Sequence, residues 1–324
     1  MDKLVSNAPQ LRSSSVYFIL IDEGSDGQRI DNFLFRTLKS VPKSRIYKAL
    51  RKGEVRVNKK RVKPEFKLSL EDSVRIPPLK VSDKAPQEVP GDWLRSSLES
   101  RVIFEDDKLL VINKPSGIAV HGGSGISLGV IESLRAMRPE SRFLELVHRL
   151  DRDTSGCLMI AKKRSMLLAL QKQLKEKKMQ KCYTALLAGR WSGREHLIDA
   201  PLKKNVENTV ERQVRVMVDG KPSQTLFHVE RRFANATLVD VKPATGRTHQ
   251  IRVHAQFAGH PILGDDRYGD ADGNRSIKKL GLKRLFLHAR SLEFCLPGAE
   301  SVFRVEAPLD DDLKRTLERL TELK

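Results

Sequence analysis

The sequence is poor in the features that would tie it to a metal, a membrane or an oxidising compartment. Its 324 residues contain only three cysteines, Cys157, Cys182 and Cys295. They cannot form a fully paired disulfide framework, and they lack the spacing of zinc ligands. No apolar run approaches the length of a membrane span, and residues 1–15 carry no apolar core of a signal peptide. These absences favour a cytoplasmic protein that binds neither membrane nor metal.

Positive charge, by contrast, is abundant. Lysine and arginine number 60 against 41 acidic residues, a net charge of +19. The excess is concentrated between Lys43 and Lys67, a segment with eleven basic and two acidic residues and a net charge of +9. A charge run usually marks a solvated face, but this one is too one-sided for that explanation. Such a balance predicts a phosphate-rich partner, and nucleic acid is the leading candidate.

The segment 17–80 predicts a small helix-helix-strand domain, preceded by a flexible N-terminus over residues 1–16. Apolar spacing and turn residues place its helices at Gly27–Phe35 and Ser44–Lys52, and its strands at Glu54–Asn58 and Ser73–Pro77. Residues 81–98 carry two prolines, a glycine and little apolar content, which predicts a linker.

Residues 99–324 predict a second, larger domain that begins with a hairpin over Arg101–Asn113. Strands are expected at Glu145–Val147, Cys157–Ala161, Gln180–Gly189, Gln213–Val218, Thr225–Glu230, Ala236–Val241, Leu285–His288 and Ser301–Val305. Helices are expected at Ser165–Lys178, Thr248–Phe257 and Asp311–Leu323. Many strands with few helices between them predict an α+β domain with a mixed, mainly antiparallel sheet and flanking helices.

The stretch Leu146–Gly156 holds the densest group of charged residues between two strands. Its polar turn carries two arginines and two carboxylates, Asp151 and Asp153, and it closes on Thr154. A turn between two buried strands presents its side chains at a fixed place, where catalytic groups are often found. An exposed loop could carry the same mixture for solubility alone, so the rest of the chain has to decide.

Other motifs exclude several kinds of cofactor. The glycine-rich loop His121–Gly125 has neither the Walker nor the dinucleotide-binding spacing. In the predicted helix that Thr248 would cap, His249 and His254 are five residues apart, so they do not share a face as zinc ligands would. Tyr183 lies in a predicted strand, where tyrosine is more often a core residue than a functional one.

Four motifs together resemble the RNA pseudouridine synthases, in the branch that acts on ribosomal large-subunit RNA. They are Asn113–Gly117, His148–Gly156, the strand with Tyr183, and Gly246–Arg252. The small domain resembles the RNA-binding domain named after small-subunit ribosomal protein four. The resemblance implies site-specific isomerisation of uridine to pseudouridine in large-subunit (23S) ribosomal RNA, a reaction that needs no cofactor, metal or ATP.

The resemblance also implies roles for individual residues. Asp151 would act at the ribose, either as nucleophile at the anomeric carbon or as base at the neighbouring carbon, and both alternatives remain open. Arg252 would keep that carboxylate charged, and Tyr183 would lie against the flipped-out target base. Asp153 is interpreted as structural. The residues expected to contact RNA are His148, Arg149 and Lys114 in the larger domain and Arg45, Lys48, Arg51, Lys59 and Lys60 in the smaller one.

Two other functions are compatible with parts of this pattern. A non-catalytic RNA-binding protein of ribosome assembly would explain the charge and the small domain. An N-glycosylase would use the same aspartate, but it would release free uracil. The sequence does not specify which uridines are modified, and a monomer is the expected state.

Overall fold

The computed structural model describes residues 15–38, 41–79, 90–122, 128–141, 143–204, 213–299 and 301–321. The chain divides into two compact units, Met1–Glu88 and Val89–Lys324. No helix in these ranges is long and apolar enough to cross a membrane.

The smaller unit packs two helices on a three-stranded sheet. Its elements are β1 Tyr17–Leu20, α1 Ile30–Thr37, α2 Lys43–Lys52, β2 Arg56–Val57 and β3 Ser73–Ile76. The strands run antiparallel in the order β1-β3-β2. Gly53 ends α2 in the left-handed conformation (φ +68°), which glycine adopts without a steric penalty. The helix-helix-strand prediction is confirmed, and β1 is an element that it lacked.

The larger unit is built on a ten-stranded sheet. Its elements are α3 Asp92–Glu99, β4 Val102–Glu105, β5 Leu109–Lys114, α4 Val130–Met137, β6 Glu145–Leu146, β7 Ser155–Ala161, α5 Arg164–Lys175, β8 Gln180–Ala188, β9 Glu195–Asp199, β10 Leu202–Lys204, β11 Val214–Val216, β12 Gln224–Arg232, β13 Ala236–Pro243, α6 Gln250–Phe257, α7 Ala271–Lys279, β14 Leu287–Cys295, β15 Val302–Glu306 and α8 Asp311–Arg319.

The sheet follows the path β4-β5-β7-β14-β8-β13-β12-β9, with β15 paired to β14 and β6 to β7. Its described pairs are antiparallel except β7 with β14, which run parallel where Ser155 faces His288. Strands β10 and β11 form a separate antiparallel ribbon. The predicted α+β fold with a mainly antiparallel sheet is confirmed.

Strand β7 is buried along its whole length, because apolar clusters cover both of its faces. Met159 packs in one cluster with Leu170 of α5, and Leu158 packs in another with Leu134 of α4. Side chains of a strand alternate between faces, so one short apolar run serves both clusters. Each such buried side chain contributes about 1.5–3 kcal/mol. The turn before β7 therefore stands on a rigid base.

The predicted linker over residues 81–98 is wrong over its last part. Residues 92–98 belong to α3, and Leu98 is fully buried in a cluster with Leu110 and Ile112 of β5. Pro90 and Gly91 mark the start of this helix, not a flexible connection. Residues 80–89 lie outside the described part of the chain, as do residues 1–14 of the predicted flexible N-terminus and 123–127 of the glycine-rich loop.

Candidate active site

The turn between β6 and β7 presents Asp151 to solvent at a fixed place. Its backbone carbonyl accepts a hydrogen bond from the amide of the buried Thr154, at 3.2 Å. The next residue, Ser155, holds the start of β7: its Oγ lies 2.9 Å from His288 Nδ1 and accepts from Arg284 Nη1 at 3.0 Å. Asp153 faces away into local contacts, with its carboxylate on Arg152 and its carbonyl accepting from Ser116 Oγ at 2.7 Å. These bonds fit the interpretation of Asp153 as structural.

Gly156 allows β7 to approach β14 closely enough for this arrangement. Its φ is +108°, and a Cβ at this position would lie 2.2 Å from the carbonyl oxygen of Ala289. Only glycine combines that backbone conformation with so close a neighbour. The requirement explains the glycine that follows the turn.

Lys114, expected to bind phosphate, instead contacts the backbone of its own domain. Its side chain is fully buried, and the ammonium donates to the carbonyls of Pro115, Ile118 and Arg152 at 2.7–3.0 Å. Burial lowers the pKa of this amine to about 7, while Asp153 and Asp151 oppose that change. Lys114 therefore ties the loop after β5 to the turn that carries Asp151. The local sequence does not predict this burial, because a lysine beside a proline in a basic protein is normally expected to be exposed.

A cleft of about 620 Å³ opens beside the turn and is lined by five of the six predicted site residues of the larger unit. Asp151 comes from the turn, Tyr183 from β8 and Arg252 from α6. Three segments far apart in sequence therefore meet at one cavity. The cleft is also lined by His148, Arg149, Lys181, Arg247 and His249.

Arg252 is not the direct partner of Asp151, contrary to the prediction. Its Nε and Nη2 donate to the two carboxylate oxygens of Asp265 at 2.7 and 2.6 Å. The Asp265 side chain has no exposed surface, whereas 30% of the Asp151 side chain is exposed. A fully buried carboxylate needs a cation, while a partly exposed one keeps water. Asp151 acts on Arg252 only at longer range.

The Arg252–Asp265 pair stays ionised in spite of its burial. Burial alone would raise the pKa of Asp265, but the guanidinium and the amides of Arg267 and Tyr268 bring that pKa below its usual value. Burial would likewise lower the pKa of Arg252, and Asp265 raises it instead. Asp265 lies in the turn-rich segment 259–269, where no local pattern distinguishes its carboxylate from that of Asp266.

Tyr183 is a neutral phenol in the cleft. Burial raises the pKa of its hydroxyl, and the nearby negative charge of Asp151 raises it further. At physiological pH the ring therefore offers an uncharged face and a hydroxyl that can donate a hydrogen bond.

His148 and Arg149 are both predicted to contact RNA, but His148 is hydrogen-bonded within the protein whereas Arg149 is exposed. His148 Nε2 accepts a hydrogen bond from the amide of Met159 at 3.1 Å, and burial together with the nearby Lys181 lowers its pKa to about 4. The imidazole is thus neutral and holds the turn to β7. Arg149 is exposed at the cleft and makes no ion pair within the described ranges. Burial also lowers the pKa of Lys181, a cleft residue that sequence reasoning missed.

The helix predicted at Thr248–Phe257 begins at Gln250, two residues later than predicted, and Thr248 is not its cap. The Gln250 side chain instead ties the helix start to the preceding loop. Its Oε1 accepts from the Arg247 amide at 3.0 Å and from Thr245 Oγ1 at 2.6 Å. His249, just before the helix, has a left-handed backbone (φ +53°) and lies with Nε2 3.9 Å from Asp151 Oδ2. Sequence reasoning did not assign His249 to the site, because only the tertiary fold brings it to Asp151.

The predicted RNA-contacting residues of the smaller unit are mostly solvent-exposed. Lys48, Arg51, Lys59 and Lys60 are exposed on α2 and on the turn after β2. Arg45 is half-buried and pairs with Glu54 at 2.8 Å. The exposed four can reach a phosphate without breaking an existing ion pair in the described structure. Across the described ranges no group of three or more His, Cys, Asp or Glu residues could hold a metal ion.

The chain is similar to known proteins in both of its units. The family described as RNA pseudouridylate synthase matches residues 108–257, and the S4 domain matches residues 28–74. The chain is 58% identical over 309 residues to ribosomal large subunit pseudouridine synthase C of Escherichia coli (strain K12), covering 94% of this chain and 97% of the relative. It is 56% identical to the protein of that name from Haemophilus influenzae, covering 96% and 97%.

Solved structures give the same result at lower identity. Human RNA pseudouridylate synthase domain containing 4 is 27% identical, with a TM-score of 0.59, over 72% of this chain and 98% of the human chain. Human RNA pseudouridylate synthase domain containing 1 is 25% identical, with a TM-score of 0.56, over 73% and 100%. On these matches the chain, an α+β enzyme with an N-terminal S4 domain, belongs to the RNA pseudouridine synthase family.

Proposed function

We propose that this enzyme isomerises specific uridines to pseudouridine in large-subunit (23S) ribosomal RNA, with Asp151 acting at the ribose. One observation carries the proposal. The partly exposed carboxylate of Asp151 opens into the same 620 Å³ cleft as the neutral phenol of Tyr183, on a turn anchored to a fully buried strand. Relatives of nearly the same length that are 56–58% identical carry a large-subunit pseudouridine synthase name, which supports this choice of RNA.

The reaction balances without any outside reagent. The bond from ribose C1′ to uracil N1 breaks, the uracil turns, and C1′ bonds to uracil C5. The proton lost from C5 is matched by the proton gained at N1, so substrate and product are isomers. The protein has only to hold the parts and supply a carboxylate, and a group fixed at the reacting carbon is effective because it is already in place.

Asp151 fits the carboxylate role because it is partly exposed and forms no ion pair with a lysine or arginine among the described residues. Its side chain accepts no hydrogen bond within the described residues, so its oxygens are available to a ribose. It acts either as nucleophile at C1′ or as base at C2′, and both roles require the ionised form. Tyr183 would hold the uracil against its ring while the base is detached.

The RNA must present its uridine outside the helical stack, because a stacked base cannot reach the cleft. Arg149, exposed at the cleft mouth, would fill the space that the flipped base leaves, while neutral His148 keeps the turn in place. Lys48, Arg51, Lys59 and Lys60 would bind phosphates, which positions the RNA but does not select a uridine. A ribosomal substrate implies action in the cytoplasm, and we expect a monomer.

The test is direct conversion of RNA by the purified protein. Large-subunit ribosomal RNA transcribed in vitro is incubated with the enzyme, and pseudouridine and free uracil are measured by chromatography after nuclease digestion. We expect pseudouridine at a few defined positions and no free uracil. Free uracil without pseudouridine would identify an N-glycosylase instead. Binding without any change in the nucleosides would leave only a role in RNA binding.

A further inference from the structure

The side chain of His249 lies between Asp151 and the loop after α6. Its Nε2 is 3.9 Å from Asp151 Oδ2, and its Nδ1 is 2.9 Å from the hydroxyl of Tyr268. The hydroxyl also accepts a hydrogen bond from the amide of Val214, at 3.1 Å. Hydrogen bonds therefore link a backbone amide of β11 through Tyr268 to His249, whose Nε2 lies 3.9 Å from the carboxylate of the proposed site.

This path determines which nitrogen of His249 carries the proton. The Val214 amide can only donate, so the Tyr268 oxygen accepts from it. Tyr268 is buried, and His249 Nδ1 is the acceptor within reach of its hydroxyl hydrogen among the described residues. If Nδ1 carried the proton instead, the hydroxyl hydrogen would be left without a partner, which is costly in a buried site. The neutral imidazole therefore carries its proton on Nε2, the nitrogen next to Asp151.

The Arg252–Asp265 pair holds Tyr268 in position. Asp265 Oδ1 accepts from the amide of Tyr268 at 2.9 Å, and the Arg252 guanidinium carbon lies 5.0 Å from the centroid of the Tyr268 ring. The backbone of His249 is itself in the left-handed region (φ +53°), a conformation that few non-glycine residues adopt without support. Arg252 thus acts on the site through Tyr268 and His249 rather than by contact with Asp151.

We propose that His249 is a positioning residue for Asp151: its Nε2–H group orients the carboxylate towards the ribose, and Tyr268 fixes the tautomer that makes this possible. The inference rests on the proposed isomerase function. A separation of 3.9 Å is longer than a hydrogen bond, so the proposal requires the two groups to come about 1 Å closer in the substrate complex.

A neutral donor suits this task better than a cation. Burial lowers the pKa of His249, against the opposing effect of Asp151, so the ring is uncharged at neutral pH. Arg252 and Arg267 act in the same direction as burial, and Asp265 acts against it. A cation in contact with Asp151 would stabilise the carboxylate and weaken it as a nucleophile or base. A neutral N–H orients it at smaller cost in reactivity.

Two substitutions separate positioning from a structural role. In His249→Gln the amide nitrogen reaches about as far as Nε2, so a donor towards Asp151 is kept. In His249→Asn the amide ends near the place of Nδ1 and the donor is lost. Asparagine is the better residue for a left-handed backbone, so a purely structural role predicts that the Asn variant performs better. The positioning role predicts the reverse order.

The measurement is the single-turnover rate of pseudouridine formation on large-subunit ribosomal RNA, with the RNA dissociation constant measured separately. We expect His249→Asn to lose about 100-fold in rate with an unchanged dissociation constant, since misplacing a catalytic group by about 1 Å has an effect of that size. His249→Gln should stay within about tenfold of the parent. Equal rates for the two variants, or a better Asn variant, would overturn the proposal.

Tyr268→Phe supplies an independent test through a double-mutant cycle. It removes the hydroxyl but keeps the ring beneath Arg252, and we expect a loss of about tenfold in rate. The double variant with His249→Asn should be no slower than His249→Asn alone, because both changes interrupt one path. Losses that multiply would contradict a shared path. Failure of the proposed function is recognised separately, since the parent enzyme itself would then form no pseudouridine.

Discussion

At the scale of single residues, Asp265 and Asp151 differ in burial and in the charge of the neighbouring side chain. Asp265 has no exposed surface and is held by both arms of Arg252, while Asp151 keeps 30% of its side-chain surface and a neutral neighbour, His249. An unpaired carboxylate inside the protein would take up a proton. The permanent cation therefore pairs with Asp265, and Asp151, the proposed reactive carboxylate, remains open to water and substrate.

Arg252→Met should destabilise the protein strongly at neutral pH. The change leaves the buried Asp265 carboxylate without its cation, and breaking such a pair costs about 3–5 kcal/mol. In the parent the pKa of Asp265 lies below its unfolded value, so the pair stabilises the fold above about pH 4 and this contribution is lost at lower pH. In the variant that pKa rises above the unfolded value, so stability should fall as the pH increases from about 4 to 7. Urea unfolding at several pH values measures both trends.

Two controls accompany this prediction. Arg149→Met removes an exposed arginine and should leave the free energy of unfolding within about 0.5 kcal/mol of the parent. Adding Asp265→Asn to Arg252→Met removes the unpaired carboxylate and should recover part of the lost free energy of unfolding. A single Arg252→Met variant as stable as the parent at pH 7 would show that Asp265 does not depend on this arginine.

The same residues show what the sequence could predict. Asp151, Tyr183 and Arg252 are predicted as site residues because each lies in a short motif that resembles a known family, and the fold brings all three to one cleft. Asp265 and His249 were missed because their partners lie 13 residues or more away in sequence, so only the fold brings them together. Lys114 was misjudged for the same reason, since its acceptors include the carbonyl of Arg152.

At the scale of elements, β7 organises the site. Its apolar run was predicted because a strand covered on both faces needs a continuous series of buried side chains. Helix α7 was not predicted, because its sequence contains aspartate, glycine and asparagine, all weak helix formers. Asp270 caps it by accepting from the Gly273 amide at 2.7 Å, and its one buried residue is Ile277. Such short helices are stabilised mainly by tertiary packing, which cannot be derived from the local sequence pattern.

Gly156→Ala should damage the junction of β7 and β14. The added Cβ would overlap the Ala289 carbonyl, and the backbone has φ +108°, so we expect a loss of about 3 kcal/mol or more. Gly117→Ala is the matched control, because Gly117 also has positive φ (+85°) but nothing lies within 4 Å of its added Cβ. That change should cost only about 1 kcal/mol. Urea denaturation of both variants gives the comparison, and equal losses would mean that the close contact at Ala289 does not constrain the strand.

At the scale of the whole molecule, the charge and the chemistry reside in separate units. The +9 segment lies in the smaller unit, while Asp151 and Tyr183 lie in the larger one. The sequence predicted a small N-terminal domain and a larger second one, in agreement with the two units. It placed residues 92–98 in the linker because the preceding Pro90 and Gly91 are typical linker residues, whereas these residues belong to α3. Leu98 is buried in the larger unit, so a truncated protein should begin before α3 if it is to keep that core.

Replacing the exposed Lys48, Arg51, Lys59 and Lys60 together by glutamine should weaken RNA binding and reduce its dependence on salt. Each phosphate contact to single-stranded RNA contributes about 0.7 to the slope of log affinity against log salt, so loss of four contacts should reduce the slope by about 3. Affinities at four salt concentrations give the slope. The control replaces the exposed Lys314 and Arg315 of α8 and should leave it unchanged. An unaltered slope in the fourfold variant would show that this surface does not bind the RNA.

The central claim, that Asp151 does the chemistry, is tested most directly by comparing two neighbouring carboxylates. Pseudouridine formation on large-subunit ribosomal RNA is measured under single-turnover conditions for the parent, Asp151→Asn and Asp153→Asn. Asp151→Asn keeps the side-chain shape and should form no detectable pseudouridine, with RNA affinity nearly unchanged. Asp153→Asn, whose carboxylate pairs with Arg152 in the described structure, should keep substantial activity. A rate for Asp151→Asn within tenfold of the parent, about 1.4 kcal/mol of barrier, would contradict the assignment.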